Sequence, residues 1–232
     1  MGKNKIASIL VMCLLLGSLA ASAKPKEPER PAVNHRFDAT KEATIERLSH
    51  LSPGEAFGRL KGSDFLVDTA MLHKGIFTAF EGRTAEAVEL ALDHVKLPLV
   101  KVVDGKPTTR TDDFYVAKKI LQVFPDEAFD SLLELYANSP PPIRANVIRV
   151  LGEMAGNQEI KSVLINALDD TSLCERKHLE ESGIPLRICD VAYNQLVLRY
   201  EIKGVLRTIG TVHTIEQREY HIDVLRNLLA SM

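Results

Sequence analysis

The chain has 232 residues, a formal net charge of −2, three cysteines and no tryptophan. Because lysine and arginine are balanced by acidic residues, the composition gives no electrostatic support to nucleic-acid binding. The length is sufficient for one substantial hydrophobic core or for a short stack of helices.

The first 23 residues have the features of a secretory signal peptide. Lys3 and Lys5 form a positive region, Ile6 to Leu16 form an apolar core, and Ala21-Ser22-Ala23 matches the usual cleavage pattern. We therefore expect cleavage after Ala23 and a secreted or periplasmic protein with no membrane span after cleavage. The alternative is an uncleaved membrane anchor, although the apolar run is short for a span.

A proline-rich segment, residues 24–37, follows and predicts a disordered, extended tether. The folded domain is expected to span 38–232. Near its start, Ser52-Pro53-Gly54-Glu55 combines an N-cap, a proline at the first helical position and a capping-box glutamate. Further on, Thr84 is expected to cap a helix that carries Val88.

The segment from Leu97 to Arg110 differs from the helical sequence around it. The run 99–103 is short and contains three β-branched valines, and Asp104-Gly105 is a turn signal. Nearby prolines exclude helix from much of the segment. This pattern predicts a small β-hairpin or an ordered loop projecting from the helices. It either offers an edge strand to a partner peptide or serves as a packed connection.

The stretch from Pro140 to Asp170 predicts two amphipathic helices that fold back on each other. Between them, Ala155-Gly156-Asn157 supplies a helix stop and an N-cap. So short a pair leaves apolar surface that needs a neighbouring pair. The apolar positions with helical spacing are Ile143, Val147, Ile148, Val150, Leu151, Met154, Ile160, Val163, Leu164, Ala167 and Leu168.

Two copies of this unit flank it in the sequence. The upstream copy aligns without a gap when Ile120 is laid on Leu151, so that Val116 falls on Val147. The downstream copy, 185–199, is partial and follows an insertion between 170 and 184. Repeats of this length are typical of an α-solenoid.

These residues resemble the bacterial HEAT-repeat consensus. The likeness is carried by Ile143-Arg144, Val147 to Met154, Ile160, Val163-Leu164 and Ala167-Leu168, with weaker copies at 112–137 and 185–199. The third copy departs from the consensus at Asp190 and Asn194, where apolar residues are expected. The resemblance implies an all-α fold, a short α-solenoid of helical hairpins, which usually lacks catalysis and binds a partner protein on its concave face. Some members of the family are enzymes or bilin lyases.

The C-terminal end predicts one more helix. Thr214-Ile215-Glu216-Gln217 forms a second capping box, and Ile222 and Leu225 lie on the apolar side of the helix that follows. The connection before it, 201–214, is split by Gly204 and Gly210 and predicts no single element.

The cysteines predict a disulfide. After signal removal only Cys174 and Cys189 remain, and they bracket the charged insertion, so a bond between them would close that loop. The alternatives are two thiols, or a zinc site with His178. No fourth zinc ligand lies at a recognisable spacing.

A second candidate site lies at the C-terminal end. His213 and His221 bracket the capping box and, with Asp190, are the candidates for a hydrolase or lyase site; otherwise they are capping or solvent-facing groups. No nucleophile motif and no phosphate-binding loop is present, and no cofactor or metal is expected. The sequence thus favours an exported, non-catalytic helical-repeat scaffold that binds another protein. The alternatives are an envelope hydrolase or lyase, and a purely architectural envelope component.

Overall fold

The computed structural model describes residues 35–103, 106–154, 158–174 and 183–231, with side chains from residue 39 onward except at 101–107. The chain divides into two compact units, 1–39 and 40–232. The expected signal peptide and most of the expected tether lie outside the described residues.

The described chain is all-α apart from one two-stranded sheet. The described residues also form 3-10 turns at Arg47–His50 and at Ala167–Asp169. Among the described residues, no helix combines the length and the hydropathy that a membrane span requires. The helices are α1 (His35–Glu46), α2 (Pro53–Leu60), α3 (Ser63–Leu66), α4 (Thr69–Phe80), α5 (Thr84–Val95), α6 (Thr111–Val123), α7 (Pro125–Asn138), α8 (Pro141–Leu151), α9 (Gln158–Asn166), α10 (Ile188–Arg199) and α11 (Ile215–Ala230).

Both predicted capping boxes are present. The Ser52 hydroxyl accepts from the backbone N–H of Glu55, whose carboxylate accepts from the backbone N–H of Ser52 at 3.0 Å, and α2 begins at the next residue. Thr214 and Gln217 make the same exchange at the start of α11. In each case side chains satisfy backbone donors that have no partner inside the helix.

The start of α5 differs from the prediction. Arg83 rather than Thr84 is the N-cap residue, and no side chain caps the helix. Thr84 is already the first helical residue. The Arg83 guanidinium is used elsewhere, because it donates to the carbonyl oxygens of Leu51 and Ala79.

The segment predicted to be a hairpin or loop contains an antiparallel hairpin. Strand β1 (Val100–Val103) pairs with β2 (Lys106–Thr109), and residues 104–105, where the sequence predicts a turn, lie outside the described residues. At its base, the backbone N–H of Arg110 donates to the carbonyl oxygen of Leu99 at 2.8 Å. The buried amide of Asn146, on α8, donates to the carbonyl oxygens of Val95 (3.1 Å) and Leu97 (3.0 Å). The entry to the hairpin is therefore fixed to α8.

Alternate helices pack on one another. Helix α4 contacts α6, α6 contacts α8, and α8 contacts α10, while α5 contacts α7. Close contacts also join α5 to α6, α7 to α8 and α9 to α10. Apolar side chains from Ile45 to Leu225 form one continuous buried cluster through these contacts.

Gly152, at the end of α8, allows α10 to approach closely. A Cβ atom at this position would lie 2.2 Å from Oε1 and 2.6 Å from Cβ of Gln195. The carbonyl oxygen of Gly152 accepts from the guanidinium of Arg199 at 3.0 Å. The α8–α10 packing distance thus depends on a residue without a side chain.

Candidate functional site

The structure encloses Asp190 of the C-terminal candidate site between two buried arginines. Its carboxylate accepts from Arg218 Nη1 at 2.8 Å, from Arg187 Nη2 at 3.0 Å and from the Arg187 backbone N–H at 2.9 Å. Both side chains of the Asp190–Arg218 pair are fully buried. Because its oxygens already accept these charged donors, Asp190 serves to neutralise the arginines.

Arg218 connects three parts of the chain. Besides binding Asp190 on α10, it donates to the carbonyl oxygens of Ile184 (2.7 Å), Pro185 (2.9 Å) and His213 (3.1 Å). A guanidinium can make several hydrogen bonds in fixed directions, so it holds the end of the insertion, α10 and the start of α11 in one arrangement.

Arg187 completes this cluster. Burial alone would lower the pKa of Arg187, but its hydrogen bonds to Asp190 and to Glu219, the latter at 2.5 Å, raise that pKa above its ordinary value. The residue therefore stays charged, as the paired carboxylates require. Sequence reasoning missed both arginines; the signal was the placement of Asp190 at an expected apolar position.

The structure does not bring the two histidines to Asp190. His213 Nδ1 accepts from the backbone N–H of Gly210 at 3.1 Å, which is a contact within its own turn. His221 Nδ1 is buried and has no hydrogen-bond partner among the described residues, and its ring lies edge-on to Tyr220. Neither ring hydrogen-bonds to the Asp190 carboxylate, whose contacts are made by arginines.

The predicted disulfide is wrong: Cys174 and Cys189 are both buried thiols. The Cys174 thiol donates to the carbonyl oxygen of Leu186 at 3.2 Å. Backbone pairing sets Cys174 against Leu186 but Cys189 against Asp170, so the two cysteines do not face each other. The alternative of two thiols is the one the structure has. His178, the third member of the zinc alternative, lies outside the described residues.

Backbone hydrogen bonds perform the closure that the disulfide was expected to perform. Leu173 and Arg187 form an isolated antiparallel bridge. On either side of it, the N–H of Cys174 donates to Leu186 O at 2.9 Å and that of Ile188 donates to Ser172 O at 3.0 Å. The base of the insertion is therefore paired before α10 begins.

The Cys189 thiol is poorly suited to nucleophilic chemistry. Burial, together with the neighbouring Asp190 charge, raises the pKa of Cys189 to about 11. A thiol is reactive mainly as the thiolate, so little of the reactive form exists near neutral pH. Among the described residues, no group of three or more histidine, cysteine or acidic side chains is arranged to hold a metal ion.

A second polar cluster lies where the hairpin meets α6. Arg110 Nη2 lies 2.8 Å from His94 Nδ1, and because arginine only donates, Nδ1 is the acceptor and the ring proton lies on Nε2. Phe57 stacks on the His94 ring at a centroid distance of 4.2 Å. Asp113 accepts from Lys61 at 2.8 Å and from Arg110 at 3.2 Å. This cluster joins α2, α5 and α6.

A groove lies between α5 and α7. Its volume is about 290 Å³, and its floor is apolar, with Val88 and Leu92 only 5% and 8% exposed. Exposed Glu89 of α5 and Glu127 of α7 form its rims. The remaining lining residues are Ala85, Lys96 and Ser131.

The two helices beside the groove are acidic. Neither contains a lysine or an arginine. Their exposed carboxylates are Glu86, Glu89 and Asp93 on α5 and Asp126, Glu127, Asp130 and Glu134 on α7. Apart from Asp93, which binds Lys96 at 2.9 Å, none of them forms an ion pair with a residue in the described ranges. Sequence reasoning missed this surface, because it appears only when α5 and α7 are known to be neighbours.

No protein-family model, no curated protein and no solved structure matches the chain. Of the candidate surfaces, the Asp190 cluster is buried and internally neutralised, and the cysteines are buried. The α5–α7 groove has an exposed rim and charges without partners in the described chain.

Proposed function

We propose that the chain is an exported, non-catalytic helical-repeat scaffold that binds another protein. In this proposal α4–α5, α6–α7 and α8–α9 are successive hairpins of a short α-solenoid, and α10 with α11 closes it. The packing of alternate helices supports this arrangement, since stacked hairpins place every second helix side by side.

Burial at equivalent positions in the first helix of each copy supports the same arrangement. Ile120 and Leu151, which align between the two copies, are both fully buried, and so are Val116 and Val147. Equivalent positions with equivalent burial are expected when each hairpin packs on the next.

A polar contact crosses between the two hairpins. Glu153, after the end of α8, accepts hydrogen bonds from Lys118, Lys119 and Gln122 on one side of α6. Although burial would raise the pKa of Glu153, the two lysines lower it below its ordinary value, so the carboxylate remains charged. The contact favours one register of α6 on α8.

The observation that carries the binding proposal is the α5–α7 groove. An apolar floor between charged rims is typical of a surface that receives a partner. Two of the residues proposed for chemistry have structural partners: Asp190 binds two arginines, and Cys174 bonds to a backbone carbonyl. A scaffold therefore accounts for more of the described surface than an enzyme does.

The export part of the proposal depends on the sequence of the first 23 residues. Mass spectrometry of the protein recovered from the extracytoplasmic fraction is expected to give a chain that begins at Lys24. A chain that retains Met1 and stays with the cytoplasm would contradict export and leave the binding proposal to its own test.

The binding proposal is tested by affinity capture and reconstitution. The full chain, tagged at its C-terminus and expressed in an exporting host, is used to retain proteins from the native envelope fraction. A retained protein is then purified separately and titrated against the tagged chain by calorimetry. A saturable one-to-one isotherm is the expected result. If no purified candidate binds and the chain turns over a substrate, the scaffold proposal is wrong and the chain is an enzyme.

A further inference from the structure

We infer that the α5–α7 groove binds a lysine- or arginine-rich amphipathic helix of a partner protein. The inference rests on the proposed scaffold function and names the chemistry of its partner.

The shape of the groove fits a helix of moderate length. Its α5 side runs from Ala85 to Lys96 through residues spaced as one face of a helix. At the rise of an α-helix this distance is roughly 16 Å, or about three turns. A partner helix of that length presents apolar residues three and four positions apart, which suits the floor formed by Val88 and Leu92.

The charges on both sides fit the polar flanks of such a helix. Glu89 on α5 and Glu127 on α7 line the groove, and the exposed carboxylates Glu86, Asp130 and Glu134 lie nearby on the same two helices. Lys96, which also lines the groove, is paired with Asp93 at 2.9 Å. A cationic amphipathic helix carries its apolar stripe between two rows of positive charge. The acidic rims would therefore meet those rows while the stripe enters the groove.

The same charges disfavour other occupants. A second copy of this chain that docked through the same face would bring an identical acidic surface against the first, so that like charges would oppose each other. Nucleic acids and anionic lipid surfaces are repelled by the same carboxylates. Charge complementarity thus selects a cationic protein segment.

The test uses a dye-labelled synthetic peptide in which lysines flank leucines placed at i, i+3, i+4 and i+7. Fluorescence anisotropy is expected to show saturable binding to the full chain that weakens as salt is added. The Glu89→Lys/Glu127→Lys double variant is expected to bind the peptide about tenfold more weakly, which corresponds to a loss of about 1.4 kcal/mol in binding free energy. A matched control, Glu46→Lys/Asp64→Lys, makes the same change in net charge at exposed residues of α1 and α3 and is expected to bind as the wild type does. Circular dichroism verifies that both variants are folded.

Two results would overturn the inference. One is equal binding by the rim variant and the control. The other is equal binding of a peptide whose leucines are replaced by serine, because generic attraction to an acidic surface needs no apolar floor.

A separate arm distinguishes this inference from the scaffold proposal. The protein partner found by capture is titrated against the Glu89→Lys/Glu127→Lys variant. Unchanged affinity means that the scaffold binds its partner through another face, so the inference fails while the proposed function stands. Loss of affinity for both peptide and partner supports the inference.

Discussion

At the scale of single residues, the most consequential side chain is Asp190. It occupies a position where the predicted repeat would have an apolar residue, and it is enclosed by Arg187 and Arg218. A buried ion pair contributes little net stability, whereas removal of one partner leaves an uncompensated charge. The C-terminal part of the fold is therefore sensitive to this one carboxylate.

We predict that Asp190→Asn lowers the free energy of unfolding by about 3–5 kcal/mol, because the guanidinium of Arg218 then lacks a counter-charge in a buried site. Urea denaturation followed by circular dichroism measures the change. The matched control is Asp223→Asn, which removes an exposed carboxylate bonded to Arg226 at 2.8 Å and should cost less than about 1 kcal/mol. Similar losses in both variants would contradict a special role for Asp190.

His94 gives a prediction about pH. Burial lowers the pKa of His94 below its ordinary 6.5, and the charge of Arg110 adds to this effect although Asp113 opposes it. A group with a lowered pKa in the folded state stabilises the fold above its unfolded pKa, and that contribution is lost as the pH falls through the folded value. The wild type should therefore lose stability on acidification below about pH 6.5.

The measurement compares unfolding free energies of the wild type and His94→Gln from pH 7.5 to pH 5. Glutamine keeps a hydrogen-bond acceptor for Arg110 but does not titrate, so the difference between the two proteins should shrink as the pH falls. His50→Gln, at an exposed residue of the 3-10 turn, is the control and should follow the wild type. A difference in unfolding free energy between the wild type and His94→Gln that stays constant from pH 7.5 to pH 5 would show that protonation of His94 does not affect stability.

At the scale of elements, local signals in the sequence were sufficient where one short segment determines the result. Ser52 with Glu55 and Thr214 with Gln217 correctly located the starts of α2 and α11. The β-branched residues and the turn signal predicted a hairpin or an ordered loop, and the structure has the hairpin at Val100–Thr109. The Thr84 cap failed because the neighbouring Arg83, whose side chain reaches distant carbonyls, is the N-cap residue.

Contacts between elements explain what the sequence left unpredicted. Asn194, a departure from the repeat consensus, exchanges two hydrogen bonds with the backbone of Ile209, at 2.9 and 2.7 Å. Tyr193 donates to the carbonyl oxygen of Leu206 at 2.7 Å. These side chains hold the connection 201–214 against α10. Their partners lie far enough along the chain that spacing alone gives no signal.

The α8–α10 contact gives a prediction at this scale. We expect Gly152→Ala to reduce stability by about 1–3 kcal/mol, since its Cβ forces Gln195 and α10 to move. Gln195→Ala in the same chain should recover part of this loss, because two of the three closest atoms are removed. The double-mutant cycle is measured by urea denaturation. If the stability losses of the two single variants simply add in the double variant, the Cβ introduced at position 152 has no steric conflict with Gln195.

Asn146 provides the corresponding prediction for the hairpin. Asn146→Ala removes both amide bonds to Val95 and Leu97 and leaves the buried carbonyl oxygen of Val95 without this donor, at a cost of about 1–3 kcal/mol. Hydrogen exchange at Arg110, whose N–H bonds to Leu99, should accelerate. Asn138→Ala, at the exposed end of α7, is the control. Equal exchange rates in the wild type, Asn146→Ala and Asn138→Ala would show that the hairpin is not held by its bonds to α8.

At the scale of the whole molecule, the all-α fold followed from hydrophobic periodicity, and the buried cluster is continuous from Ile45 to Leu225. The disulfide prediction failed at this scale, since cysteine pairing depends on how two separate backbone segments align. Backbone pairing at Leu173 and Arg187 closes the insertion in its place. The acidic α5–α7 surface also required the packing of elements to be known.

We predict one cooperative unfolding transition whose midpoint is the same with and without a reducing agent. A continuous core favours a single transition, and there is no bond between Cys174 and Cys189 to reduce. Thermal scans with and without dithiothreitol measure this. A fall of several degrees on reduction would show that a disulfide contributes to the fold.

The paired backbone at the base of the insertion has a consequence for protein engineering. The bridge between Leu173 and Arg187 joins the two sides of the insertion through backbone atoms alone. It therefore does not depend on the side chains of the residues between them. The entropy of closing a loop rises slowly with its length, by about 0.6 kcal/mol for each doubling. We therefore expect that an affinity epitope or a fluorophore tag spliced in between Leu173 and Arg187 costs little stability.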